Sequence, residues 1–325
     1  MQPEVQTGKR KTFFVVNPVA GGGKAKDAWK EILAVLIKSH DNFSWQYTKC
    51  NGSAIVQVMN ALDEGYELIV AVGGDGTLNE AVNGFIKDGK LYKENTALAF
   101  WPLGSGCDMA RTIFPDKEPQ TLLDMLQFGE VKMVDIGGCT YSSENKMQGF
   151  CYYLNSFDTG LGANTVAAVN KSKKRLGGKI SFLLSALRCI ISYRNIPMRI
   201  TADGQHFDGE YVMIAIGNNK YAGGGMMLTP KAVIDDGRLD MLMVKKVNKL
   251  YLLWVTTKVY SGAHLKLDLV SYHSVQDVSI ETDIPMLIEC DGENVGYTSV
   301  NVTVLPQALP LLFPAPKEGS ETEIK

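Results

Sequence analysis

The first 134 residues alternate short strand-like runs with stretches of helical periodicity, and this alternation restricts the fold more than any other feature. The run LIVAVGG at 68–74 is apolar at nearly every position, as expected of a strand buried on both faces. In the stretch from 24 to 40, Trp29, Leu33 and Leu36 recur at three and four residues, the spacing of one buried helix face. Strands that alternate with helices predict a three-layer α/β domain with a mainly parallel sheet.

From about Asp135 onward, strand-like runs follow one another more closely. Asp203-Gly204 and Asp291-Gly292 each lie between two such runs, an arrangement typical of tight hairpins. Two stretches, at about 176–192 and 248–263, carry enough apolar residues to form helices that pack on a sheet. This part of the chain favours an antiparallel β-sandwich with a few helices.

The two patterns predict an α/β domain over residues 1–134 and a β-sandwich domain over 135–305, with the C-terminal segment 306–325 able to pack back on the first. The composition suits a globular chain, since 45% of the residues are hydrophobic and 21% are charged. A net charge of -2 gives no global electrostatic reason to bind nucleic acid, so we expect no nucleic-acid partner.

Six cysteines are scattered without a C-x-x-C pair, and no histidine lies at metal-ligand spacing from any of them. This pattern indicates a reduced, cytoplasmic protein. Asn17-Pro18 ends the first apolar run far short of a signal-peptide core. Arg188 interrupts the longest apolar tract, at 180–192, which is well below the ~20 residues of a membrane span. We expect any membrane contact to be peripheral, at the inner membrane surface.

Three glycines and one aspartate, in the sequence GGDGT at 73–77, separate the apolar run from the next predicted helix. Glycines let the backbone approach a ligand, and the start of a helix offers N–H groups and a partial positive charge to an anion. A purely structural junction, capped by Asp75 or Thr77, would not need three glycines. The stretch therefore favours phosphate binding.

Two common phosphate-binding templates do not fit this chain. A G-x-G-x-x-G fingerprint that begins at Gly74 would require glycine at position 79, where the chain has Asn79. A Walker A motif would need serine or threonine after Lys24, where the chain has Ala25. The carboxylate of Asp75 would repel phosphates unless a divalent cation lay between them, so the loop predicts ATP bound together with Mg²⁺.

Six motifs occur in order along the chain: NPVAGGGKA, GGDGTLNEAVNGF, PLGSGCDMAR, FDTGLGA, TPKAVIDDGRLDM and IECDGE. Together they resemble the catalytic domain of the diacylglycerol kinase and sphingosine kinase family, and most closely its soluble bacterial diacylglycerol kinase-like lipid kinases. The resemblance covers nearly the whole chain. It implies a nucleotide-binding domain of the NAD kinase and diacylglycerol kinase type, a β-sandwich that binds the lipid substrate, and an active site in the cleft between them. It also suggests a homodimer.

The resemblance assigns ATP contacts to Asn17, Pro18, Gly21, Thr48, Gly73, Gly74, Asp75, Gly76, Thr77, Asn79, Glu80 and Ser105. Asp75 would act through Mg²⁺ and Thr77 through its hydroxyl. Glu293 matches the family's general base, which would take the proton from the lipid hydroxyl as it attacks the γ-phosphate. Without the resemblance, Glu293 reads more readily as a solvated turn residue.

A second, structural Mg²⁺ is also implied by the resemblance. Its ligands would be Asp236 and the main-chain carbonyls of Val233 and Arg238. Oxygen-only ligation suits this ion. The residues alone leave a polar turn at 235–237 equally open.

One position departs from the family pattern. Cys107 stands where the PLGSGCDMAR motif usually has asparagine, although Asp108 and Arg111 are kept. A thiol is a weak donor and acceptor where an amide would do both well. We expect altered geometry or substrate preference rather than an inactive enzyme.

The predicted function is an ATP- and Mg²⁺-dependent lipid kinase that transfers the γ-phosphate of ATP to a lipid hydroxyl, most readily converting diacylglycerol to phosphatidic acid. Three alternatives stay open: another lipid acceptor such as a sphingoid base or phosphatidylglycerol, an NAD kinase-like enzyme, and a catalytically inactive nucleotide- or lipid-binding protein. The basic cluster NKSKKRLGGK at 170–179 could hold anionic lipid headgroups or form a solvated face.

Overall fold

In the computed structural model, helices and strands alternate up to residue 128, and strands dominate after it. The structure describes residues 10–39, 42–114, 119–143, 147–171, 187–193 and 195–315. The helices are α1 (Ala25–Ser39), α2 (Ser53–Asp63), α3 (Asp75–Phe85), α4 (Ala110–Ile113), α5 (Pro119–Phe128), α6 (Leu161–Lys171) and α7 (Lys249–Val259). Short 3-10 turns form at Ala20–Gly23 and Ala263–Lys266.

The strands of the first half are β1 (Thr12–Val16), β2 (Phe43–Tyr47), β3 (Leu68–Gly73), β4 (Ile86–Lys87), β5 (Lys90–Leu91) and β6 (Ala97–Pro102). Those of the second half are β7 (Glu130–Ser142), β8 (Gln148–Tyr153), β9 (Ser156–Gly160), β10 (Ile196–Ala202), β11 (Gln205–His206), β12 (Gly209–Gly217), β13 (Leu239–Lys245), β14 (Val270–Val275), β15 (Asp277–Glu281), β16 (Leu287–Cys290) and β17 (Glu293–Phe313).

The first domain is built on a parallel sheet with the strand order β2-β1-β3-β6. Successive side chains of β3 point to opposite faces of this sheet. Ile69 and Ala71 pack in one cluster with residues of α2 and α3. Val70 and Val72 pack in another with Trp29 of α1 and with residues of α5. Helices thus cover both faces, and the predicted three-layer α/β domain is confirmed.

The second domain is an antiparallel β-sandwich, as predicted. Six strands close a ring of antiparallel pairings, in the order β10-β12-β9-β16-β17-β15 and back to β10. Both predicted hairpins are present, because Asp203 and Gly204 have φ of +46° and +79°, and Asp291 and Gly292 have φ of +49° and +86°. These left-handed conformations are those that a two-residue hairpin turn requires.

Two long strands pass from one sheet into the other. β17 pairs with β16 and β15 in the sandwich, and near its end Leu311 pairs in parallel with Leu98 of β6. The opening residues of β7, 130–134, pair with 309–313 of β17. The boundaries predicted at 134 and 305 both fall inside these strands, so continuous strands rather than linkers join the two sheets.

Two sequence expectations concern segments that the structure describes only in part. Of the helix predicted at 176–192, residues 187–192 are described and are helical. Most of the basic cluster, from 172 to 179, lies outside the described residues. Among the helices that the structure describes, none is long and apolar enough to cross a membrane.

Candidate active site

Three loops converge at the carboxyl ends of β1, β3 and β6. The backbone N–H groups of Leu103 and Gly104 both donate to Gly73 O, at 2.7 and 2.9 Å. A Cβ atom at Gly104 would lie 2.4 Å from Gly74 Cα, and one at Gly21 would lie 2.6 Å from Leu103 O. Only glycine allows this approach of backbone to backbone, so these glycines are required to bring the loops together.

The loop after β1 is tied to the start of α3. The amide of Asn17 donates to Thr77 Oγ1 at 3.0 Å, and the N–H of Val19 donates to Asn17 Oδ1 at 3.1 Å. A Cβ atom at Gly73 would lie 2.4 Å from the same Thr77 oxygen. α3 begins at Asp75 without a side-chain cap, because its N-cap residue is Gly74. Its positive end therefore faces the space between the loops, which suits an anion.

Two acidic side chains flank that space. Asp75 Oδ1 accepts a hydrogen bond from the N–H of Asp108 at 2.8 Å. A Cβ atom at Gly106 would lie 3.1 Å from Asp75 Oδ2 and 3.9 Å from Asp108 Oδ2, so both carboxylates border one small region. Burial, followed by the charges of Asp108 and Asp291, raises the pKa of Asp75 to about 6. Burial also raises the pKa of Asp108.

These two carboxylates fit a divalent cation. A cation would offset both the burial of the charges and their mutual repulsion. Asp108 Oδ1 is buried and accepts no hydrogen bond from the described residues, with Arg111 Nε at 3.6 Å as its ionic partner. The donor set consists of oxygen atoms, which Mg²⁺ prefers.

A loop of the sandwich forms the opposite wall beside these acids. Asp108 Oδ2 accepts a hydrogen bond from the N–H of Gly224 at 2.7 Å. A Cβ atom at Gly225 would lie 2.9 Å from Arg111 Nη2, and the Arg111 guanidinium lies 6.0 Å from the ring centroid of Tyr221. Asp108 and Arg111 thus hold the two domains together across the cleft.

The hairpin between β16 and β17 brings Glu293 to the start of α3. A Cβ atom at Gly76 would lie 3.9 Å from Glu293 Oε1. The turn itself is fixed by Asp291, whose buried carboxylate accepts hydrogen bonds from three consecutive N–H groups, at 154, 155 and 156, over 2.8–3.0 Å. Sequence reasoning treated Asp291 only as a turn former and missed this positioning role.

Asn79 and Glu80, both on α3, form hydrogen bonds with neighbouring parts of the protein. The amide of Asn79 donates to Asp291 Oδ2 and to Tyr152 O, both at 3.0 Å. The carboxylate of Glu80 accepts from the N–H groups of Gly52 at 2.8 Å and Ala54 at 3.0 Å, at the start of α2. Both were predicted as ATP contacts. These hydrogen bonds position Asn79 toward the hairpin and Glu80 toward α2, and contact of either residue with ATP stays a prediction.

The other predicted ATP contacts surround the opening between the loops. The N–H of Thr48 donates to Val16 O at 2.9 Å, which brings Thr48 beside Asn17. Pro18 is partly buried, and Ser105 is exposed. Cys107 is fully buried beneath the loops with φ of +51°, and its Sγ lies 3.9 Å from Gly73 O. The departure from the family therefore lies under the phosphate loop rather than on the cleft surface.

The turn at 233–238 is organised by a residue that the sequence did not single out. The buried carboxylate of Asp135 accepts from the N–H groups of Gly237 at 2.6 Å and Gln307 at 2.7 Å. Asp236 is exposed, and its Oδ1 accepts from the N–H of Arg238 at 3.0 Å. Burial raises the pKa of Asp135, and the nearby Asp236 adds to this rise. A structural Mg²⁺ on Asp236, Val233 and Arg238 stays a prediction.

Three buried asparagines connect the cleft walls and were also missed. The amide of Asn218 donates to Asp135 O at 2.9 Å and to Leu154 O at 3.0 Å. That of Asn219 donates to Asn155 Oδ1 at 2.9 Å, and its own oxygen accepts from Thr112 Oγ1 at 2.6 Å. The sequence signal that could have identified them is the pair of consecutive polar residues, Asn218 and Asn219, directly after the apolar strand β12.

A pair of buried carboxyl groups lies beneath the hairpin. Asp158 of β9 and Glu289 of β16 are directly opposite in the strand pairing, and Glu289 Oε2 accepts from the N–H of Gly292 at 2.6 Å. Burial raises the pKa of Asp158 to about 6 and that of Glu289 well above its usual range. The charge of Asp158 and its hydrogen bond with Glu289 add to the rise at Glu289, and the same hydrogen bond limits the rise at Asp158. The pair therefore retains a proton near neutral pH.

Comparisons with known proteins agree with this architecture. Residues 11–139 match the diacylglycerol kinase catalytic domain, and residues 155–313 match the YegS C-terminal NAD kinase beta sandwich-like domain. The chain thus combines a diacylglycerol kinase catalytic domain with a C-terminal β-sandwich domain of the YegS type. This kinase is a phosphotransferase with an alcohol group as acceptor. The resemblance inferred from the six motifs is confirmed.

Relatives of this kinase match it over nearly their whole length. A diacylglycerol kinase from Staphylococcus carnosus is 28% identical over 316 residues, which cover 97% of this chain and 98% of the relative. A candidate diacylglycerol kinase from Bacillus anthracis has a solved structure with a TM-score of 0.73 and 25% identity, covering 94% of this chain and 97% of that one. Yeast NADH kinase shares the fold alone, with a TM-score of 0.54, 10% identity and coverage of 96% and 85%.

Proposed function

We propose that this kinase transfers the γ-phosphate of ATP to the hydroxyl of a membrane lipid, with diacylglycerol as the preferred acceptor and phosphatidic acid as the product. One observation carries the proposal: Glu293 Oε1 lies near Gly76, in the first turn of α3 and therefore beside the positive end of that helix. A proton acceptor and a phosphate site therefore meet in one cleft between the domains. The names of the curated relatives support diacylglycerol as the acceptor.

Each side chain has a role in this reaction. The glycine-rich loops and the start of α3 bind the phosphates through backbone N–H groups. Asp75 and Asp108 would hold Mg²⁺, which would supply positive charge beside the phosphates. Glu293 accepts the proton of the attacking hydroxyl, and Asp291 keeps the hairpin in position through its hydrogen bonds.

We propose that the kinase contacts the lipid surface through α7 and the neighbouring helical segment at 187–192. Leu250 is 81% exposed, Ile191 60% and Trp254 45%, although all three are large apolar residues. Lys249 Nζ donates to Ile191 O, which joins the two helical segments, and Lys258 Nζ lies 5.0 Å from the Trp254 ring centroid. Apolar and aromatic side chains beside lysines are typical of helices that lie in a membrane interface.

Vesicle sedimentation tests this surface separately from catalysis. We expect Leu250→Asp to weaken binding to vesicles that contain phosphatidylglycerol, while an exposed apolar residue elsewhere, Val56→Asp on α2, leaves binding unchanged. Equal sedimentation of wild type and Leu250→Asp would exclude α7 as the docking surface.

An acceptor panel tests the function. The purified protein is incubated with radiolabelled ATP, Mg²⁺ and one acceptor at a time: diacylglycerol, a sphingoid base, phosphatidylglycerol or NAD. We expect the fastest label transfer into diacylglycerol. Faster labelling of another lipid would correct the acceptor, labelling of NAD alone would show an NAD kinase-like enzyme, and no labelling at all would favour a binding protein without catalysis.

A further inference from the structure

Three cysteines that are distant in the sequence meet beneath the catalytic hairpin. Cys139 of β7 lies opposite Cys151 of β8 in the strand pairing, and Cys151 Sγ lies 3.5 Å from Cys290 Sγ of β16. All three sulfur atoms lie within 4.8 Å of one another. Across the part of the chain that the structure describes, no other three His, Cys, Asp or Glu residues bring their ligand atoms so close.

The spacing of the sulfurs matches a shared metal better than a disulfide. Thiolates on one metal at a metal–sulfur distance of about 2.3 Å are separated from each other by about 3.8–4.0 Å. A disulfide would require two sulfurs at about 2.05 Å, so Cys151 and Cys290 would have to approach by about a further 1.5 Å. The 3.5 Å between Cys151 Sγ and Cys290 Sγ is close to the separation in a trithiolate site, and no pair of the three sulfurs is more than 4.8 Å apart.

The surroundings of the cluster add two features of a metal site. Cys139 and Cys290 are buried, whereas Cys151 is partly exposed and offers an entry path. The hydroxyl of Tyr153 is fully buried, has no hydrogen-bond partner among the described residues, and interacts electrostatically with all three thiols. A buried hydroxyl that donates a hydrogen bond to a thiolate would support a metal ligand from the second layer around the site.

We propose that Cys139, Cys151 and Cys290 form a binding site for a thiophilic d10 cation, Cu⁺ or Zn²⁺. Soft thiolate ligands select these ions over Mg²⁺. Binding releases the thiol protons, because the ligands must be thiolates. Cys290 directly precedes the Asp291-Gly292 turn, so the bound ion fixes the strand that leads to Glu293. The site is separate from the Mg²⁺ region at Asp75, and its test uses no substrate.

Metal titration of the whole protein tests the site. Reduced protein, prepared without oxygen, is titrated with Cu⁺ against a chromogenic Cu⁺ chelator and, in a second arm, with Zn²⁺ against a Zn²⁺ indicator. We expect one equivalent of at least one of these ions to bind, with a rise in melting temperature, since an ion that binds only the folded state stabilises it. The two arms identify which ion is preferred.

Matched serine variants assign the binding to the cluster. Cys151→Ser removes the partly exposed ligand and should bind the ion at least about 100-fold more weakly and show no metal-dependent rise in melting temperature. Cys50→Ser, at an exposed cysteine outside the cluster, should behave as wild type. Absence of binding by the wild type, or equal binding by wild type and Cys151→Ser, would overturn the proposal. Cys151→Ser keeps the test valid even if substitution of the buried Cys290 prevents folding.

Discussion

Adding a single methyl group at Gly104 should separate the two loops that form the phosphate site. In Gly104→Ala the new carbon would lie 2.4 Å from Gly74 Cα and 3.1 Å from Gly74 N, whereas ordinary contacts begin at 3.4 Å. Both groups are backbone atoms, so no side chain can rotate away. The loops after β3 and β6 must therefore move apart by about 1 Å.

A displacement of this size has a larger effect on catalysis than on folding. Misplacement of reacting groups by about 1 Å can reduce the rate by about 100-fold. Overpacking costs roughly 1–3 kcal/mol, which lowers the melting temperature of a chain of this size by a few degrees. We expect kcat for lipid phosphorylation to fall by about two orders of magnitude in a variant that is still folded at the assay temperature.

The assay combines label transfer from ATP into diacylglycerol with thermal denaturation. Gly209→Ala, outside the cleft, is the matched control, because the three atoms nearest to its new carbon belong to the Tyr211 side chain, the first at 3.4 Å. We expect near-normal kcat and melting temperature for this control. A Gly104→Ala enzyme with unchanged kcat would refute the contact between the loops, and a loss of activity that merely follows unfolding would refute its catalytic importance.

Three further variants test neighbouring contacts. Asp291→Asn keeps the shape of the side chain but loses at least two hydrogen bonds that the buried carboxylate accepts. We therefore expect the unfolding free energy, measured by denaturant titration, to fall by about 3–6 kcal/mol. An unchanged denaturation midpoint would contradict this. Burial raises the pKa of Asp158 to about 6, so its stabilisation is complete below about pH 4 and is lost as the pH rises through 6. About 1.4 kcal/mol of this stabilisation remains at pH 5 and almost none at pH 8. Asp158→Asn should therefore lose about 1.4 kcal/mol less unfolding free energy than the wild type between pH 5 and 8, and an equal loss in both proteins would contradict this. Glu80→Gln should lower the unfolding free energy by about 1–2 kcal/mol yet leave KM for ATP within about threefold. A large rise in KM would instead support the predicted direct contact of Glu80 with ATP.

The fold could be predicted from local patterns, because burial acts on each element separately. The fully apolar β3, the spacing of Trp29 and Leu36 on α1, and the Asp-Gly turns each record their environment within a few residues. Periodicity and turn chemistry are local signals, and the structure confirms all three.

The residues that position the site could not be predicted in the same way. Asp291 bonds to N–H groups more than 130 residues away, and Asp135 joins Gly237 to Gln307. The three clustered cysteines come from different strands, and their meeting depends on strand register. Register across a sandwich is set by the packing of the whole domain, so the spacing of these residues along the chain carries no signal of their contact.

The most direct test of the account is the initial rate of phosphate transfer to diacylglycerol by wild type and by Glu293→Gln at saturating ATP. Glutamine keeps the size of the side chain but cannot accept the hydroxyl proton at neutral pH. The account predicts a rate at least about 100-fold lower in the variant, with an unchanged melting temperature and unchanged binding of ATP. A Glu293→Gln enzyme that phosphorylates diacylglycerol within a few-fold of the wild-type rate would contradict it.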